Sequence, residues 1–188
     1  MKDQLEWDPD LDAAQRAARV VALRALDAVA DARDAIRKRD VESIHEFRVA
    51  LRRVRSWTRA YHTALDDTVR DRTIRSLRRI ALATTRLRDL DVQIEWLRSE
   101  TSALGESRLE AAKWVTSSLK SERKKVWRRF RKILEREYSG AERALRDQLT
   151  HYLVRYDIRT RNNGPTMRDV TSQLLEDQGV AFSKALAR

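Results

Sequence analysis

Apolar residues recur every three or four positions along most of the chain, which is the period of helices with one face on a core. Asp8 and Pro9 read as an N-cap followed by a first-turn proline, and a helix is expected over 10–39, with Leu11, Ala14, Ala18, Val21, Ala25, Val29, Ala32 and Ile36 on its buried side. A second helix should open at Asp40 or Ser43 and run to Leu65, where Asp66, Asp67 and Thr68 break and recap the chain. A third is expected over 69–88, bending at Arg88–Asp91 and resuming as a short helix to Leu97. The stretch "SETSALGES" reads as a loop, followed by a long helix over 107–138, an interruption at Gly140 and a shorter helix to Arg155. A second loop, "DIRTRNNGPTMRD", leads to a last helix opened by Thr166 or Asp169. The fold class is therefore all-α, an antiparallel bundle of six or seven helices.

Composition agrees: only four glycines and two prolines in 188 residues leave little material for turns. One domain of ordinary size accommodates this length. The net charge of +11 points to an anionic partner, whether nucleic acid, an acidic membrane face or a phosphate polymer. Eight of the 40 basic residues are lysine, so arginine dominates, and its planar fork suits phosphate oxygens; a GC-rich coding bias would produce the same skew. The absence of cysteine excludes disulfides and thiolate metal sites. With no apolar run near the length of a membrane span and an acidic N-terminus, "MKDQLEWDPD", a soluble cytoplasmic protein without membrane insertion is expected.

The charge is uneven. Residues 45–88 carry 12 arginines against four acids, whereas residues 1–40 are nearly balanced, so the basic character belongs to particular helices. Advancing about 100° per residue from His45, Arg48, Arg52, Arg55 and Arg59 fall within a stripe roughly 80° wide. Phe47, Leu51, Val54, Trp57, Tyr61 and Leu65 occupy a separate apolar face. The stripe extends about 21 Å, enough to follow an extended polymer. On the third helix Arg72, Arg75, Arg79 and Arg86 cluster within about 60°. A looser stripe of Lys113, Lys120, Lys124, Arg128 and Arg131 follows on the long helix, making three candidate walls of one basic surface. A solvated face paired with nearby acids is the competing reading for the second and third walls. It is weaker for the first, where Glu46 alone accompanies five arginines.

The three histidines are too scattered for a metal cluster. His45 is read as a donor to phosphate, with packing as the alternative. Asp89, Asp91 and Glu95 could hold a divalent ion, but capping a helix start and pairing with Arg86 or Arg88 is the favoured reading. No phosphate-binding loop or nucleophile–base order is visible, so no cofactor, metal or catalytic residue is assigned.

The segment "SIHEFRVALRRVRSWTRAY" resembles the signature of the CHAD domain, the conserved histidine α-helical domain, and "LATTRLRDLDVQIEWL" resembles the family's second landmark. The resemblance covers roughly residues 1–135 and implies two pseudo-symmetric helical lobes flanking a basic channel, here 1–100 and a partial second lobe over 101–188. It also implies binding of inorganic polyphosphate, often at polyphosphate granules, by a module that is not an enzyme. His45, Arg48, Arg52, Arg53 and Arg55 match the first signature, and Arg86, Arg88, Asp89 and Asp91 the second. Arg59, Arg79, Lys120 and Lys124 join the expected binding set from charge geometry. The family's second histidine-and-arginine helix is missing: "THYLVRYDIRT" has His151, Arg155 and Tyr156 at the wrong spacing. The channel is accordingly expected to be one-sided, or completed by a second copy in a homodimer. Nucleic acid is the competing polyanion, and a structural interaction module the competing role.

Overall fold

A computed structural model describes residues 14–36, 41–65, 68–101, 106–151 and 164–186, with side chains of the fourth segment from Arg108 onward. Among them are six helices: α1 (Ala14–Ala35), α2 (Val41–Ala60), α3 (Asp71–Ala83), α4 (Thr85–Thr101), α5 (Glu106–Thr150) and α6 (Met167–Leu186). The described residues include no strand pairing into a sheet, and the fold is all-α. The expected cap at Asp8–Pro9, the break at Asp66–Asp67, and most of the loop before α6 lie outside the described residues.

α1 packs on α2, α5 and α6, while α3 and α4 pack on α5 from the other side. The core between them is aromatic at its centre. Phe47 of α2 meets Phe130 and Tyr138 of α5 at ring separations of 6.3 and 6.2 Å, so α2 and α5 face one another across the bundle. The Arg33 guanidinium lies 5.6 Å over the Tyr138 ring, and burial pushes the Tyr138 phenol well above its ordinary range. Polar ties fix the remaining seams. Buried Arg19 donates to the Leu65 carbonyl and the Thr68 hydroxyl, both at 3.0 Å, holding α1 against the α2–α3 turn. Arg146 of α5 reaches Asp27 of α1 at 2.9 Å.

Two boundaries differ from the periodicity. α3 ends at Ala83, with Thr84 as its C-cap, not at Arg88, and the segment expected to bend runs straight through α4. Thr84 is fully buried, and its hydroxyl donates to the Ala81 carbonyl at 2.6 Å while accepting from Arg48 at 2.9 Å. A hydroxyl that satisfies the preceding turn from within replaces a loop as the break. The second difference is at Gly140, which α5 passes without interruption. Buried Tyr138, Ala141, Leu145 and Leu149 keep the helix on the core there, and that packing outweighs the ~1 kcal/mol propensity cost of a mid-helix glycine.

α6 opens as the sequence suggests. The backbone N–H of Asp169 bonds to the Thr166 hydroxyl at 3.2 Å, and the Asp169 carboxylate accepts the Thr166 N–H at 2.9 Å. This reciprocal pair satisfies donors the helix would otherwise leave open, and the same bonds hold the Asp169 carboxyl below its usual range. Gly164, at φ 87°, supplies the left-handed turn that feeds it.

Candidate functional site

Ile44, Phe47, Leu51 and Val54 are fully buried and orient α2. Trp57 packs against the same core, its ring N–H donating to the Ala18 carbonyl at 2.9 Å. With that face committed, the arginines of α2 have to lie on the flanks and the outer surface.

The α3-facing flank forms an open groove of about 1070 Å³ between α2, α3 and the middle of α6. Arg55 and Arg59 enter it from α2, Arg75 and Arg78 from α3, and His62 from the turn after α2. Leu174, Leu175 and Gln178 of α6 form part of the lining. Two carboxylates are present: Asp177, and Asp71, which sits 3.9 Å from Arg75 within its own helix. Arg55, Arg59 and Arg78 make no ion pair among the described residues. Partial burial, with the like charges of Arg78 and Arg59, lowers the proton affinity of Arg55. Three guanidiniums that make no ion pair among the described residues thus converge on one concave surface, an arrangement chemically able to hold an anion.

The other expected site residues are dispersed. His45 and Arg53 line a smaller groove on the α1 side of α2, together with Asp31 and Glu46. Arg52 is exposed between the two grooves and unpaired among the described residues. Arg48 is half-buried and donates to Thr84 and Thr85 at 2.9 and 3.3 Å, joining α2 to the α3–α4 junction.

Arg79 pairs with Glu137 of α5 at 2.9 Å, and Arg86 with Glu122 of α5 at 2.6 Å. Both tie their helices to α5, and neither arginine is among the residues lining the groove. Bonds from Arg79 and Arg136 hold the Glu137 carboxyl below its usual range. Arg88, two positions after Arg86, projects about 160° away from it and is half-buried without a partner among the described residues.

The long-helix cations also separate from the groove. Lys120 lines a third hollow with Arg98, Thr101, Lys113, Thr116 and Ser117, between α4 and α5, and Lys124 is exposed. The three walls expected to form one surface are thus divided, and only the first two share the groove.

The carboxylates of the second landmark do not cap a helix start, since α4 begins at Thr85. Asp91 is buried and pairs with Arg123 of α5, not with Arg86 or Arg88. Asp89 is exposed, and Glu95 lies 3.7 Å from Arg98. No group of three or more histidine, aspartate or glutamate side chains suited to a metal ion occurs among the described residues. No helix among them is long and apolar enough to cross a membrane.

Sequence reasoning missed Arg78, the α3 residue closest to the matter. It falls outside the 72/75/79/86 cluster because its phase on α3 lies about 60° beyond Arg75, toward the apolar side marked by Ile74. Arg78 instead follows Ile74 by one turn, on the side of α3 that meets α2.

No curated protein is similar enough to this chain to be matched with it. The CHAD domain family model does match, over residues 20–188, and takes in both sequence landmarks, all the groove residues and all six helices save the start of α1. With a match of that extent on an all-helical chain, the protein belongs to the CHAD domain family.

Proposed function

We propose that this protein binds inorganic polyphosphate without catalysing its turnover, and that the groove between α2 and α3 is where the polymer lies. The observation that carries this reading is the convergence of Arg55, Arg59 and Arg78, which make no ion pair among the described residues. Guanidinium forks donate charge-assisted hydrogen bonds to non-bridging phosphate oxygens, and release of condensed counterions adds a salt-dependent gain. Family membership supports the same partner. Arg52, exposed beside the groove, extends the contact along α2, while Arg48 acts by holding α2 on Thr84 and Thr85.

Among the described residues, no tryptophan, tyrosine or phenylalanine lines the groove. Single-stranded nucleic acid is held in large part by stacking on such rings, so the lining favours a polymer that is phosphate throughout. Association with polyphosphate granules is the cellular consequence of this reading.

The test is a competition titration against long-chain polyphosphate, single-stranded RNA and duplex DNA at one physiological salt concentration. Preference for polyphosphate by two orders of magnitude or more is expected. Comparable binding to all three would reduce the groove to a generic polyanion surface.

A further inference from the structure

The outer face of α5 carries a concentration of charge that the groove does not use. Lys120, Lys124, Lys125, Arg128, Arg129 and Lys132 are all exposed, and none makes an ion pair among the described residues. They cover about 18 Å of helix. The acids that could neutralise them are engaged: Glu122 by Arg86 at 2.6 Å, and Glu135 by Arg131 at 3.2 Å. Neighbours one turn apart, such as Lys120 and Lys124 or Lys124 and Arg128, repel one another along the free helix.

This face points away from the groove. Phe47 and Phe130 meet in the core, so each helix presents its outer surface about half a turn from its own phenylalanine. Lys125, Arg128 and Lys132 lie about 140–160° from Phe130, and Arg52 and Arg59 about 140° and 120° from Phe47. The two sets therefore leave the bundle on different sides. No α5 residue is among the described residues that line the α2–α3 groove.

We infer that the α5 face is a second, independent polyphosphate-binding surface, so that one protein holds two polymer segments and bridges them. The inference rests on the proposed polyphosphate reading. A convex ridge rich in lysine engages phosphate as point charges without the fork geometry of the groove, so this second surface is the weaker and more salt-sensitive of the two.

Equilibrium binding of short-chain polyphosphate to the full chain, with light scattering on addition of long-chain polymer, tests it. The wild type is expected to take up two short chains and to assemble with long ones. Lys124→Gln/Lys125→Gln/Arg128→Gln should bind one short chain with groove affinity unchanged within about twofold, and should no longer assemble. A control that neutralises as many cations elsewhere, Arg24→Gln/Arg168→Gln/Lys184→Gln on α1 and α6, should behave as wild type; loss of assembly in the control too would assign the effect to net charge and overturn the inference. Unchanged stoichiometry and assembly in the α5 variant would overturn it as well. The groove reading fails separately, if Arg55→Gln/Arg78→Gln leaves the tighter class of binding intact. Circular dichroism of each variant establishes that the exposed substitutions leave the helices in place.

Discussion

Arg55 of α2 and Arg78 of α3 line one groove, and the charge of Arg78 adds to partial burial in disfavouring the charge of Arg55. Neither makes an ion pair among the described residues, although Asp71 and Asp177 line the same groove, and that makes these two arginines the sharpest test of the site. Arg78→Ala is expected to leave stability within about 0.5 kcal/mol of wild type, since an exposed residue without a partner is removed. Polyphosphate affinity should fall, and the slope of log K against log salt should drop by about one unit. Arg78→Lys should retain most of the salt slope while losing affinity, because the charge stays and the fork goes. Arg79→Ala, one residue along, should do the reverse: it removes the Glu137 pair, costs up to about 1 kcal/mol, and spares the affinity. Salt-dependent titrations and urea melts on the same four proteins separate the outcomes.

The Asp91–Arg123 pair predicts a structural phenotype inside a landmark of the family. The Asp91 side chain is 1% exposed and that of Arg123 is 20% exposed. Asp91→Ala leaves a mostly buried guanidinium without its counter-charge, and should cost roughly 3 kcal/mol, the lower end for a broken buried pair because Arg123 keeps some water. Under conditions where the variant is folded, polyphosphate affinity should be unchanged. Chemical denaturation followed by titration checks both parts, and a large affinity loss with normal stability would place Asp91 at the ligand instead.

Glu137 sets a pH dependence. Arg79 and Arg136 hold its folded-state pKa below the ordinary 4.5, so the folded chain keeps the proton off more readily than the unfolded chain does. Its stabilising contribution is therefore complete above about pH 4.5, and is lost as pH falls through the lower folded-state value. In urea melts across the acid range, wild type should lose stability more steeply below that point than Glu137→Gln. Parallel curves would mean that the pair contributes nothing to acid sensitivity.

Much of this was readable in the residues alone. The apolar line Phe47, Leu51, Val54 and Tyr61 is buried as its spacing requires, and the basic stripe beside it leaves the core as expected. The part that could not be read was which arginines would be consumed by partners far along the chain. Arg79 and Arg86 look like Arg55 and Arg59 until α5 brings Glu137 and Glu122 against them, from 58 and 36 positions away. Helical phase was the second obstacle. Thr84 is one residue among several threonines, yet its buried hydroxyl divides α3 from α4 and uncouples Arg86 from the stripe before it. Pair periodicity cannot see a break that a tertiary contact creates.

Gly140 gives a prediction of the opposite sign. It sits within α5 between buried Tyr138 and Ala141, and an added Cβ would meet nothing within 4 Å. Its backbone is helical, so an L side chain fits without strain. Gly140→Ala should therefore stabilise the fold by about 0.5–1 kcal/mol, chiefly by restricting the unfolded chain. The substitution is remote from the groove, so affinity for polyphosphate should not move. A thermal melt showing no gain, or a loss, would mean that α5 departs from regular helix at Gly140 in the folded chain.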